Sequence, residues 1–184
     1  MTEYEAFRGP RVKDVFGLTR HDHRWDGIEK FGYAIPNDEA IQLLISLGPI
    51  TELGAGLGYW AHLITEGGGQ IQAYDIHPGE GNEYKPIREG KPWHPVMQGG
   101  VEVLHDNDCP TLLLCWPCYM GVWAEEALAA FKGDRVAYVG EGYGGCTATD
   151  DFHDTLNDAW ELETTVCIPR WEHIGDQLYI YKRK

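Results

Sequence analysis

The stretch 51-TELGAGLGYWAHLI-64 places three glycines in five positions, Gly54, Gly56 and Gly58. An acid, Glu52, precedes them, and an apolar helical pattern of Leu57, Trp60, Ala61 and Ile64 follows. A short apolar run from Ile50 to Leu53 leads in. A strand that runs into a glycine loop and then a helix is a unit for handling anions and nucleotides. The glycines let a ligand approach the backbone, and the helix N-terminus supplies free N–H groups. In an open α/β sheet the ligand sits beyond the carboxyl ends of the strands. The spacing differs from G-x-G-x-x-G, because Tyr59 follows Gly58, and the phosphate loop G-x-x-x-x-G-K-[ST] is absent. A bare strand–helix turn would need one or two glycines, not three with a flanking acid.

Outward from this unit the chain alternates. Upstream, Pro36 and a capping Asn37 open a helix whose apolar face is Ile41, Leu44, Ile45 and Leu47, stopped by Gly48-Pro49. Residues 1–36 mix charged and aromatic residues and read as an irregular N-terminal arm or lid, with 37–184 as the domain. Downstream, Gly67-Gly68-Gly69 ends the second helix and 70-QIQAYD-75 reads as a strand ending on an acid. Residues 76–91, rich in Gly, Pro and Glu, read as a long loop. A third short strand is expected at 94-HPVMQ-98, with a brief helix at 101-VEVLH-105. Then come a buried-type strand at 111-TLLLCW-116, a helix of strong formers at 123-WAEEALAAF-131, a strand at 135-RVAYVG-140 and a helix near 151–160. Two extended runs, 162-LETTVCIP-169 and 177-QLYIYK-182, close the chain as an antiparallel hairpin. Seven strands, five of them alternating with helices, define an α/β, three-layer Rossmann-like sandwich with a mostly parallel sheet and a C-terminal antiparallel hairpin.

The bulk numbers narrow the function. With 184 residues, 43% of them hydrophobic and 12% aromatic, the composition is that of one globular domain. The formal net charge of −14, from 29 acids against 15 bases, argues against a protein that wraps bare phosphate backbone. No apolar run is long enough for a membrane span, and the polar start is not a signal peptide. A cytoplasmic protein is expected, and its five unevenly spaced cysteines fit reduced thiols.

The residues E-L-G-A-G-L-G, followed about 20 residues later by Asp75 at a strand end, resemble the class I S-adenosylmethionine-dependent methyltransferases. The resemblance covers roughly residues 37 to 182 and includes the strand count and the late hairpin. It implies S-adenosylmethionine (SAM) as cofactor. Glu52 then serves the methionine end, and Gly54, Ala55 and Gly56 pass under the cofactor. Asp75 holds the ribose hydroxyls, and Ile76 packs on adenine. Gln98 and Gly99 take the adenine-edge position, where the family often carries an acid and this chain reads Q-G-G-V. Tyr59 and Trp116 complete the implied cofactor set.

On the acceptor side, 116-WPCY-119 matches a motif of amino-group methylases only at Pro117 and Tyr119. Trp116 and Cys118 replace the family's polar residue and second proline, so the polar partner for a target amine is missing from the motif. Tyr119 and Glu141 are the candidate bases, each expected at the carboxyl edge of the sheet. Tyr33 and Ile35 can cover the cofactor as part of a lid, or simply cap the core. Arg170, Trp171 and His173 stand in the final hairpin, an edge that shapes either the acceptor pocket or a homodimer contact. Cys115-x-x-Cys118 follows the fourth strand, which is the wrong place for a thioredoxin-like motif, and no second pair exists for zinc. His21 and His23 read as solvated loop residues, and no metal is expected. The resulting expectation is a SAM-dependent methyltransferase acting on a small molecule, with no nucleic acid or membrane partner. The alternative is a SAM-binding protein of another kind, either a different SAM-consuming enzyme or a non-catalytic regulator.

Overall fold

A computed structural model describes residues 18–78, 81–82, 85–86, 92–171 and 173–184, with side chains from Arg24 onward and outside the 79–91 segment. Seven strands form one sheet: β1 (Ile50–Leu53), β2 (Ile71–Asp75), β3 (Met97–Gln98), β4 (Thr111–Cys115), β5 (Arg135–Gly140), β6 (Trp160–Cys167) and β7 (Gln177–Arg183). Their order across the sheet is β3-β2-β1-β4-β5-β7-β6. The first five run parallel, with Glu52 level with Ala73 on one side and Leu113 on the other. β7 inserts antiparallel between β5 and β6, and a bulge at Leu162/Thr164 adjusts the hairpin. The expected Rossmann-like sandwich is the fold observed.

Among the described residues five α-helices accompany the sheet: α1 (Leu18–Phe31), α2 (Asp38–Ser46), α3 (Tyr59–Glu66), α4 (Trp123–Ala130) and α5 (Asp150–Ala159). Asn37 caps α2 by accepting the Ala40 N–H, and Thr149 caps α5 by accepting the Phe152 N–H. The central strands are buried on both faces, so alternate residues enter opposite cores. Leu113 of β4 faces Leu44, Trp60 and Ile64 of α2 and α3. Its neighbours Leu112 and Leu114 face Ala124, Leu128 and Phe152 of α4 and α5.

Three expectations are corrected. Residues 18–31, read as irregular, form α1. Its sequence is polar on average and carries Gly27 inside, so periodicity hid it; burial of Ile28 and Phe31 against Ile35, Tyr59 and Trp93 holds it in place. The third strand is only Met97–Gln98, because Pro95 has no N–H to give a ladder. The brief helix after it is a 3-10 turn, Val101–Leu104. Part of the 76–91 loop and residues 1–17 lie outside the described residues. So do the side chains of His21 and His23, whose backbone belongs to α1.

Candidate active site

A cavity of about 840 Å³ opens at the carboxyl ends of β1, β2 and β4. The strand geometry puts it there: the loops leaving three adjacent parallel strands diverge, and a ligand-sized gap forms between them. Its floor is the glycine loop. Gly56 has φ +56°, and an added β-carbon would meet nothing within 4 Å, so its surface is open to the cavity. Gly54 is different: a β-carbon there would lie 2.9 Å from Cη2 of Trp123, so the indole packs on the bare backbone. The N–H groups of Gly54 and Ala55 both go to the carbonyl of Tyr74, which ties the loop to β2.

Asp75 ends β2 on the cavity wall. Its Oδ2 accepts the Gly56 N–H at 2.9 Å and its Oδ1 accepts the His77 N–H at 2.8 Å. A carboxylate has about four lone-pair sites, so two remain for a ligand's hydroxyls. Ile76, 60% exposed, presents an apolar side chain beside it. Gly99 and Gly100 continue the wall, and the Glu102 carboxylate accepts the Gly100 N–H at 2.7 Å, which holds its pKa below the usual range. Glu102 is the acid that the Q-G-G-V reading missed. It stands two residues past the family's position and reaches the wall only because the 3-10 turn folds it back.

Glu52 lies behind this wall and is fully buried. Its Oε2 has no hydrogen-bond partner. Burial first, and the charge of Asp75 second, push its pKa up to about 8. An unpaired buried polar atom costs about 1–3 kcal/mol, and such atoms in native proteins mark sites where something else completes the bonding.

The opposite side of the cavity is aromatic and long-range. Trp116 stacks on Tyr33, with centroids 4.6 Å apart and planes 11° from parallel. The Trp116 backbone has φ +55°, an outlier for a bulky residue. Its indole Nε1–H is shared by the two oxygens of Asp176, at 2.9 and 3.0 Å. Asp176 is buried, and desolvation raises its pKa to about 6 although the Trp116 bond works against that. Ile28, Glu29 and Gly32 of the α1 end close the cavity over Tyr33, with Cys115, Cys118 and Met120 below. The Cys115 thiol is pushed well up by burial and by the charges of Glu52 and Asp176, so it is not an active nucleophile.

The structure therefore brings Gly54, Gly56, Asp75, Ile76, Gly99 and Trp116 to one cavity. Other expected site residues fall elsewhere. Tyr59 is buried against Phe31 and Trp93, because the first turn of α3 faces the α1 cluster and not the ligand. Ala55 is off the wall, and Gln98 turns outward on the edge strand, its amide 3.5 Å from the Ile76 carbonyl. Tyr119 is 56% exposed on a loop and does not line the cavity. Glu141 is also off the wall: its carboxylate accepts the N–H groups of Cys146 at 2.8 Å and Gly175 at 2.6 Å, pinning one loop to the hairpin. Partial burial opposes ionisation there, but those bonds and Arg24 outweigh it and lower the pKa, which suits a structural clamp and not a base. Arg170 and Trp171 are also structural, bonding to the carbonyls of Asp176 and Tyr33. Among the described residues no group of His, Cys, Asp or Glu is placed to hold a metal, and no helix is long and apolar enough to cross a membrane.

No protein-family model and no curated protein matches the chain in sequence. Solved structures do match its fold. A TehB-like SAM-dependent methyltransferase from Corynebacterium glutamicum is similar with a TM-score of 0.55 at 18% identity, over 90% of this chain and 97% of that one. Magnesium protoporphyrin IX methyltransferase from Synechocystis PCC 6803, solved with bound SAM, gives a TM-score of 0.58 at 14% identity, over 100% and 92%. A putative RNA methyltransferase from Pyrococcus horikoshii gives 0.50 at 14% identity, over 79% and 82%. The fold is that of the class I SAM-dependent methyltransferases.

Proposed function

We propose that this protein is a SAM-dependent methyltransferase and that its acceptor is a small molecule. The observation that carries the cofactor assignment is Glu52, a buried carboxyl with an orphaned oxygen set behind the glycine loop. A ligand with a positively charged amino group near that loop would supply the missing interaction, directly or through water. The rest of the wall fits the same molecule. Asp75 has lone pairs left for two ribose hydroxyls, Ile76 offers an apolar face for adenine, and Gly56 leaves backbone open beneath the chain that joins them. Bound SAM supplies a methyl group already activated by its sulfonium, so the protein's work is chiefly to position the acceptor and exclude water.

A small acceptor is favoured by the size and enclosure of the site. A cavity of about 840 Å³ has room for a cofactor and a compact second molecule, and α1 with Tyr33 covers it. The arm reading extends to this: residues 18–36 act as the lid of the 37–184 domain. The second reading, a SAM-binding protein that does not methylate, draws on Tyr119 and Glu141, both off the cavity wall. Incubation with methyl-labelled SAM and a size-fractionated metabolite pool separates the two. Methylation is expected to put label into the low-mass fraction with formation of S-adenosylhomocysteine. SAM binding without label transfer would favour the second reading, and label in RNA or protein would overturn the small acceptor.

A further inference from the structure

The indole of Trp116 is held in place at two separate costs. Its backbone lies at φ +55°, a region that bulky residues rarely adopt. Its Nε1–H is shared by both oxygens of Asp176, a carboxyl group with none of its surface exposed. An indole that merely filled a core would need neither, because ordinary backbone reaches such places and burying a carboxylate is unfavourable. Backbone strain of this kind persists where a side chain must be aimed. Trp116 is aimed at the cavity, whose wall it forms together with Tyr33. The sheet order sets its position there. Leu53 is level with Leu114, so Trp116 leaves the sheet beside the glycine loop. β4 lies on the far side of β1 from β2, and Asp75 ends β2. Trp116 therefore stands across the glycine loop from the Asp75 wall.

The Tyr33 ring lies on this indole with centroids 4.6 Å apart and planes 11° from parallel, the offset stack that flat rings prefer. Tyr33 is itself only partly buried. Beside it is Gly32, where an added β-carbon would meet nothing within 4 Å. The Tyr33 backbone is tied down by the Trp171 indole N–H, which donates to its carbonyl at 3.2 Å. The ring can therefore swing aside about its own side-chain bonds while the backbone stays. We infer that Trp116, set by Asp176, is the stacking platform for a flat aromatic acceptor, and that Tyr33 occupies the acceptor's place until it binds. This rests on the reading that SAM lies along the glycine loop with its ribose at Asp75. A ligand ring that replaced Tyr33 would keep the stack. It would lie across the loop from the ribose, on the Glu52 side, toward the sulfonium methyl. The transfer balances. A lone pair on a ring-borne oxygen or nitrogen bonds to the methyl carbon, and the carbon–sulfur bond breaks with its electron pair left on sulfur. The acceptor's proton passes to water. A saturated ring of the same size gains less on this platform, because it has no π-face.

The test uses two probes that are uncharged near neutral pH and differ in flatness, 2-naphthol and decahydro-2-naphthol. Each is titrated into the full chain by ligand-observed NMR, with and without saturating S-adenosylhomocysteine, whose own binding is measured first. The flat probe is expected to bind at least about threefold tighter than the saturated one, with its ring protons moved upfield by the indole. Trp116→Leu should lose that preference and Trp116→Phe should keep it. Both leave Asp176 without the indole, so the difference between them reads the ring alone. Tyr33→Ala should bind the flat probe at least about threefold tighter than the wild type, because no ring has to be displaced. A Tyr33 that only walled the cavity would make the same variant bind more weakly. If the Trp116 variants do not fold, Tyr33→Ala decides. Equal binding of the two probes, tighter binding of the saturated one, or no binding of the flat one overturns the inference. So does a folded Tyr33→Ala protein whose affinity for the flat probe is unchanged or lower. Failure of S-adenosylhomocysteine to bind, with the flat-ring preference and the Tyr33→Ala gain intact, would instead remove the cofactor reading and the acceptor role with it, and leave a ring-binding site on Trp116.

Discussion

The two sides of the cavity are built in opposite ways. The glycine-loop side is local: Glu52, Gly54, Gly56 and Asp75 lie within 24 residues, and the contacts that shape them are backbone bonds between neighbouring strands. The aromatic side is assembled from distant pieces. Trp116 meets Asp176 across 60 residues, and Trp171 reaches the Tyr33 carbonyl across 138. On the function proposed here, the compact local unit is the part that would hold the cofactor. The part that would choose an acceptor is held by the fold as a whole, so it can vary without disturbing the first.

Substitutions can break this division. The largest expected effect is Gly54→Val, which puts a side chain against Trp123 in a backbone at φ +76°. The strain should cost about 1–3 kcal/mol in urea denaturation, and S-adenosylhomocysteine binding should be lost in the same protein. On the other side, Asp176→Ala leaves the Trp116 N–H unpaired and should cost about 1–3 kcal/mol. It should loosen the Tyr33–Trp116 stack, read by near-UV circular dichroism, while changing cofactor affinity by less than about threefold, as read by calorimetry. Asp176→Asn keeps an acceptor for the indole and should restore most of both losses.

The pH dependence sharpens the same contrast. The folded-state pKa of Glu52 is raised to about 8 from 4.5, and that of Asp176 to about 6 from 3.8. In those windows the folded chain holds protons that the unfolded chain has lost. Their contribution to stability is therefore full below about pH 4 and is lost as the pH rises toward 8. Thermal unfolding of the ligand-free protein should show a decline from pH 5 to pH 8 that flattens in Glu52→Gln. SAM binding near pH 7 should release a proton from Glu52, seen as a binding enthalpy that changes with the buffer's ionisation enthalpy. The smallest expected effect is Tyr119→Ala, an exposed loop change that should move cofactor affinity by less than about twofold.

What could be read in advance follows the same line. The strands other than the short β3, α2 to α5 and the place of Asp75 were legible because they rest on periodicity, caps and turn residues close in sequence. The helix α1 was not, since its polar sequence becomes helical through Ile28 and Phe31 finding a core elsewhere. Tyr59 misled because one residue decides whether a side chain at a helix start faces ligand or core. Glu141 misled because an acid just past a strand end is equally suited to clamping backbone N–H groups. Glu102 was missed because its place on the wall depends on a 3-10 turn that no local signal marks.

The central claim is that Asp75 and the glycine loop hold the ribose end of SAM. Calorimetric titration of S-adenosylhomocysteine into the wild type and into Asp75→Ala tests it most directly, with Asp75→Asn as the variant that can keep a loop bond through its carbonyl oxygen. Two hydrogen bonds to a charged carboxylate are worth about 3–6 kcal/mol together, so the alanine variant should bind at least about 100-fold more weakly. Wild-type binding that survives unchanged in a folded Asp75→Ala protein, or no binding to the folded wild type, would contradict the account.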